Sequence, residues 1–294
     1  MTGTSTPALQ PLVARVLSNN AVLVGQGAEQ HVLVGRGIGF GVKAGQAINI
    51  QEDHQKYVYL TDEQVQFFNS VKTLDSGRIE TFSTALDLAA DLLGPLDPSV
   101  YVIVVEHLSF AVDRLMQGEA IMNALAGEIQ AVFPEEYAAA EVMLQYINTR
   151  LTEIELPSCE AGFLALHLNA ALGNTSVKTP LAQAHQLAEL VAHARSILGI
   201  EHATTTNHVD GLESMIARLM RRLRSGSLRD NYAAMAISSQ LHRESVLATE
   251  IICRILHTHS MPSAAKGEAA YLAVYLHGCW QDHHMSKKGN AQHE

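Results

Sequence analysis

Residues 160–168, EAGFLALHL, return at residues 268–276 as EAAYLAVYL. At nearly the same offset, HLSFAVDRLM at 107–116 has an echo in GLESMIARLM at 211–220. Two matched segments in the same order mark a duplicated module. Its periodicity is helical: in 101–116, Val104, His107, Leu108, Ala111 and Leu115 share one side of a helix. Residues 119–132, 135–151 and 160–171 read the same way, and further helices run to about residue 280. The copies divide near 174–180, where Gly173-Asn174-Thr175 precedes Pro180. A repeat keeps core residues by type, so two departures stand out. His107 is matched by Gly211, and His167 by Tyr275. Their joint loss points to one shared purpose.

Upstream of residue 62 the text changes character. Val13, Val16 and Leu17 open a strand, Asn19-Asn20 signals a turn, and Ala21–Val24 follows. After the Gly25-Gln26-Gly27 turn come His31–Val34 and finally Tyr57–Leu60. This spacing predicts a small antiparallel sheet. A sheet of about 50 residues buries little surface alone, so dimerisation is its natural remedy. The chain therefore reads as one β module and two homologous all-α helical bundles. The first ten residues and the tail after Trp280 read as disordered ends.

Composition bounds the function. With 294 residues, 47% hydrophobic and 17% charged, the chain can fill two or three cores. A formal net charge of −10 excludes nucleic-acid binding through bulk positive charge, so any such contact is local and shape-specific. Cys159, Cys253 and Cys279 lack metal-ligand spacing and suit buried thiols in a reducing compartment. Fifteen histidines include no HExxH motif or Cys/His ligand cluster, so neither metal nor cofactor is expected. Without a signal peptide, or an apolar run near the ~20 residues of a membrane helix, a cytoplasmic protein is expected.

The runs VARVLSNNAVLV (13–24) and VLVGRGIGFGVKAGQAI (32–48), with HLSFAVDRL and EAGFLALHL downstream, closely resemble the BglG/LicT-type transcriptional antiterminators. The resemblance spans roughly residues 12–280 and is loosest in the second α module. It implies an RNA-binding domain at 12–66, built as a symmetric dimer of four-stranded sheets. Two phosphotransferase-system regulation domains would follow, at 67–176 and 177–282, between disordered ends at 1–11 and 283–294. Members bind a hairpin in nascent messenger RNA that overlaps a terminator, so transcription proceeds into sugar-utilisation genes. By position, the resemblance assigns RNA contact to Arg15, Asn20, Gly35, Arg36 and Phe40. It assigns regulatory phosphorylation to His107 and His167, the expected donors being a sugar-transporter subunit and the phosphocarrier. Gly211 and Tyr275 depart from the family pattern. His208 and His277 lie nearby but out of register, so the second module is expected to be a structural or dimerising copy.

The residue chemistry suits these roles. Arginines neutralise phosphates or stack on bases, Asn20 can meet a base edge, Gly35 permits close approach, and Phe40 offers a stacking face. Imidazole is nucleophilic at neutral pH and forms a labile phosphoramidate. Read without the resemblance, Arg36 is a solvated turn residue, Phe40 a core residue and Asn20 a hairpin residue. His167, at helical spacing from Phe163 and Leu164, reads as a core histidine. Arg114 lies about 10 Å along the helix from His107, too far to pair directly. Other functions fit less well. A DNA-binding activator with the same regulatory modules needs a helix-turn-helix, and commonly a Walker motif, that the sequence lacks. A metal hydrolase using His107 and His167 lacks paired Asp ligands. A phosphorylation-responsive scaffold without RNA binding keeps the fold and loses the need for Arg36 and Phe40. In the leading reading the protein is a phosphoacceptor and no enzyme.

Overall fold

The computed structural model describes residues 11–25, 30–48, 57–59, 76–200 and 211–290. The expected disordered N-terminal segment, Gln26-Gly27, Leu60 and His208 lie outside them. Strands β1 (Val13–Ser18), β2 (Ala21–Val24), β3 (His31–Val34) and β4 (Tyr57–Tyr59) form one antiparallel sheet in sequence order. Ser18 pairs with Ala21, so Asn19-Asn20 is a two-residue turn. Val24 faces His31 and Val22 faces Leu33 in an unbroken β2–β3 register. Irregularities at Val13/Arg15 and Val16/Ser18 bend β1.

Alternation gives β2 two buried faces. Val22 and Val24 join Val13, Leu33, Ile38 and Ile48 in one apolar cluster. Ile38 and Ile48 come from the glycine-rich segment that folds back beside β1, where Val13 donates to the Gln46 carbonyl and Ile48 to that of Pro11. This return needs glycine at a specific place. A Cβ on Gly39 would collide with the Ser18 carbonyl oxygen, whereas one on Gly37 would meet open space. Gly37 and Gly41 instead supply left-handed turns at φ +71°.

Helices follow in the order α1 (Ser76–Leu93), α2 (Ser99–Met116), α3 (Ala126–Val132), α4 (Pro134–Arg150), α5 (Glu160–Leu172) and α6 (Lys178–Leu198). Then come α7 (Leu212–Ser225), α8 (Ala234–Gln240), α9 (His242–Leu256), a 3-10 turn at Ser263–Ala265 and α10 (Lys266–Asn290). Pro134 at the first turn with Glu135 and Glu136 fits the α4 start, since proline lacks an amide proton and carboxylates favour a helix N-terminus.

Two compact units result. The first holds residues 1–126 and 133–180, where α1 packs on β1 and α4, and α5 packs on α2 and α4. Phe82, Leu86, Leu108, Met143, Ile147 and Leu164 are fully buried there. The second holds 127–132 and 181–294, around Leu190, Leu212, Ile216, Ile251, Leu272 and Leu276, with Ala131 and Val132 packed against that core.

Two expectations are corrected. The helix expected over 119–132 is confined to Ala126–Val132, because Gly118 takes a left-handed turn (φ +80°) just after α2. The tail after Trp280, expected to be disordered, continues α10 through Asn290. The His284 ring packs tilted against Trp280, with centroids 4.5 Å apart, and its Nδ1 lies 2.9 Å from the Trp280 carbonyl, which tie that turn down.

The two glycine roles separate by mutation. Gly39→Ala is expected to cost more than about 2 kcal/mol, through collision with backbone, and Gly37→Ala about 1 kcal/mol, through left-handed strain alone. Urea denaturation of the full chain measures both; equal costs would rule out the close approach at Gly39.

Candidate RNA-binding loop and histidine site

Residues 35–41 form a tight loop stitched to the β1–β2 turn. The Gly35 amide donates to the Asn20 carbonyl (2.9 Å), and the Gly39 amide to that of Asn19 (2.9 Å). The Asn20 side chain adds a third stitch, its Oδ1 accepting the Gly37 amide at 2.7 Å. Asn20, Gly35, Arg36 and Phe40 are thereby brought to one place. Arg36 is exposed, and Phe40 is 77% exposed, although the residue pattern alone suggested core. A ring this exposed, on a loop this constrained, is a stacking surface available to an unpaired base. Arg15 sits in mid-β1 opposite Leu23, half-buried, and burial lowers its pKa. No hydrogen bond among the described residues ties it to the loop.

The helical site joins α2 to α5. Glu160, Phe163 and His167 recur at helical spacing on α5, and this face meets His107 of α2. The two imidazole centroids are 5.5 Å apart, with Phe163 at 5.8 Å from His107. Nε2 of His107 lies 2.8 Å from Oε2 of Glu160, which is 1% exposed. A carboxylate only accepts, so Nε2 carries the proton of this bond and the Nδ1 lone pair stays available in the neutral ring. Burial, helped by the neighbouring His107, lowers the His167 pKa to about 4. His167 is therefore a neutral nucleophile at pH 7. It lines a surface pocket of about 210 Å³ with Asp97, Ser99, Ile103 and Asn174, which gives the ring access to solvent. Arg114 pairs with Glu119 at 3.2 Å.

Glu160 was missed by sequence reasoning, although its counterpart Glu268 stands at the head of the other repeat segment. In the second copy, an ideal Cβ at Gly211 would lie 2.6 Å from the Tyr275 hydroxyl. Tyr275 fills the space that a side chain at 211 would need, so the two departures from the repeat are one coupled exchange. Glu268 remains buried, and with no histidine at 211 it takes two arginines. Arg222 holds it through Nε and Nη2, both at 2.8 Å, while Arg229 contributes Nη2 and its backbone amide, both at 2.9 Å. Gly267 permits this approach, because a Cβ there would collide with the Arg229 carbonyl. Burial raises the Glu268 pKa, but the arginine hydrogen bonds outweigh it and hold the carboxyl at about 2. His277 faces elsewhere, with Nδ1 3.0 Å from Glu244 and its ring stacked on Trp280.

Among the described residues no group of three or more His, Cys, Asp or Glu could hold a metal ion, and no helix is long and apolar enough to cross a membrane. Cys159, Cys253 and Cys279 are thiols outside any disulfide; Cys279 is buried, whereas Cys159 and Cys253 are half-buried.

Two measurements check these environments. His167 has a lowered folded pKa, so the unfolded chain takes up a proton that the fold refuses between about 6.5 and about 4. Stability is thus full above that window and falls by roughly 2–3 kcal/mol as the pH drops through it. His167→Phe should flatten this part of the pH–stability curve. Arg222→Met strips one arginine from a buried carboxylate and should cost about 2–3 kcal/mol in thermal or urea unfolding. By contrast, Arg254→Met at the exposed Arg254–Glu250 pair should cost less than about 1 kcal/mol.

Comparison with known proteins agrees with this layout. Residues 12–66 match the CAT RNA binding domain, and residues 86–171 match the PRD domain. The protein named GlcT from Staphylococcus saprophyticus subsp. saprophyticus is 25% identical over 282 residues, covering 92% of this chain and 98% of that protein. A beta-glucoside operon antiterminator of Dickeya chrysanthemi is 34% identical over 166 residues, covering 54% of this chain and 58% of that protein. A solved structure of GlcT CAT-PRDI aligns with 55% of this chain and 98% of its own length, at 29% identity and a TM-score of 0.42. An RNA-binding sheet followed by a regulation domain, with the same domain pair matched in order, makes this chain a member of the BglG/LicT family of transcriptional antiterminators.

Proposed function

We propose that this antiterminator reads an RNA hairpin through the 35–41 loop and is switched by phosphate on the His107–His167 pair. The observation that carries the RNA part is the exposed Phe40, presented beside Arg36 on a loop held by Asn20. Phe40 stacks on an unpaired base of the hairpin, Arg36 meets a backbone phosphate or base, and Gly35 lets the RNA approach the backbone. Arg15 adds a further cation from β1. Because the whole chain is acidic, these local contacts carry the affinity. The RNA-binding sheet works as a homodimer, which covers the apolar surface that a domain of this size leaves exposed.

The regulatory part follows from the histidine geometry. In phosphoryl transfer an imidazole nitrogen attacks phosphorus, and the bond from phosphorus to the donor's leaving atom breaks. The donor is a sugar-transporter subunit or the phosphocarrier of the phosphotransferase system. Modification places a charge of roughly −1.5 to −2 beside the buried Glu160 carboxylate. Like charges there repel and loosen the α2–α5 contact, so the sign is inhibitory: sugar transport drains the phosphate and restores RNA binding. With a glycine at 211, a tyrosine at 275 and two arginines on Glu268, the second domain serves as a structural copy that takes no phosphate at these positions. The protein accepts phosphate and catalyses nothing itself.

Binding of the full chain to a hairpin with unpaired internal bases tests the RNA reading. Selective binding, weakened with rising salt and lost by tenfold or more in Phe40→Ala, is expected. Equal binding by wild type and Phe40→Ala, or none by either folded protein, leaves the phosphorylation-responsive scaffold as the better account.

A further inference from the structure

Glu160 fixes which nitrogen of His107 carries the proton. It is 1% exposed, and among the described residues its side chain bonds to Nε2 of His107, at 2.8 Å. The His107 side chain is itself 27% exposed, so the ring has a buried partner and an open side. A neutral imidazole has one proton for two nitrogens. With that proton on Nε2, the carboxylate accepts a charge-assisted hydrogen bond. With it on Nδ1, the carboxylate would face the Nε2 lone pair, and a buried charge would go unsatisfied. The burial of Glu160 therefore selects one tautomer. His167 is held differently: its ring meets that of His107 at 5.5 Å, and among the described residues no hydrogen bond to a carboxylate fixes its proton.

We propose that Glu160 is a positioning residue for phosphotransfer, directing the phosphoryl group to Nδ1 of His107. This inference rests on the reading of His107 as a phosphoacceptor. It goes beyond that reading by naming the acceptor atom and the residue that selects it. The Nδ1 lone pair forms the new bond to phosphorus while the bond from phosphorus to the donor's leaving atom breaks, and that atom keeps the electron pair. Positive charge then develops on the ring, and the Nε2 proton stays in the hydrogen bond to Glu160. A buried carboxylate in this place stabilises that charge and raises the basicity of the ring. Attack through Nε2 would instead break the bond to Glu160 and bring phosphoryl oxygens against a buried negative charge. A phosphate on Nδ1 stands on the other nitrogen of the same ring, within range of the charge repulsion proposed for regulation. The second copy keeps the carboxylate, as Glu268, but has Gly211 where the first has the imidazole, so there is no ring at that position to orient.

The full chain, as wild type and as Glu160→Gln, is phosphorylated by the transporter subunit or phosphocarrier. The peptides carrying residues 107 and 167 are then assayed separately for rate of labelling and for phosphohistidine isomer. Phosphate on wild-type His107 should be the Nδ1 isomer. Glutamine keeps the shape of glutamate without its charge, so transfer to His107 should slow by about tenfold or more, while His167 keeps its wild-type rate. That contrast separates positioning from a structural defect, which would slow both sites. The proposal is overturned by the Nε2 isomer on wild-type His107, by equal rates for wild type and Glu160→Gln, by an equal slowing of both sites, or by phosphate on His167 alone. Should Glu160→Gln melt early, the isomer on the wild-type chain decides. Absence of phosphate from both histidines of the folded chain refutes the phosphoacceptor reading first and takes this one with it.

Discussion

A carboxylate taken out of water must be given a partner, and the two helical copies answer that requirement differently. Glu160 and Glu268 occupy the same repeat position and are each 1% exposed. One is satisfied by an imidazole and the other by two guanidiniums. The difference sets what each copy can do. A phosphate on the imidazole would set its charge beside the carboxylate and destabilise the helix contact. Guanidiniums stay charged at all physiological pH values, so their pairing is static. The exchange of His107 for Gly211 would strand Glu268 without Arg222 and Arg229, and the Tyr275 hydroxyl closes the space that is left. In the proposed regulation, a switch and a strut are thus two solutions to one buried charge.

The RNA-binding module meets a different constraint, set by backbone approach. Its loop folds against the Ser18 carbonyl only because residue 39 has no Cβ, and Asn20 then fixes Gly37. Glycine there does the work that a larger core does elsewhere. For the proposed RNA contacts of Arg36 and Phe40, a rigid presentation would lower the entropy cost of binding, which suits an acidic protein that cannot rely on bulk attraction.

Much of this was legible in the sequence. Val-rich runs around Asn19-Asn20 located the hairpin, since alternation and turn chemistry agree there. The contrast between repeats singled out His107 and His167. Glu160 and Glu268 escaped notice, because an acidic residue at the start of a helix reads as solvated and favourable to the helix dipole. Only tertiary structure reveals that both are buried. Arg222 and Arg229 belong to no periodic pattern; each takes its meaning from a neighbour distant in sequence. Residues 119–125 misled because their composition is helix-compatible, whereas the left-handed turn at Gly118 decides otherwise. Conversely, the polar tail after Trp280 read as disorder, yet histidine contacts on Trp280 carry α10 onward.

The central claim is that one helical copy switches and the other does not. It is tested most directly by treating the full chain with a phosphorylated transporter subunit or phosphocarrier, mapping the acid-labile phosphate by peptide, and titrating the same sample with the hairpin. The account predicts phosphate on His107 or His167, none within residues 177–282, and weaker hairpin binding by the modified protein. Phosphate on a histidine of the second copy, or unchanged hairpin affinity in chains carrying it on His107 or His167, would contradict it.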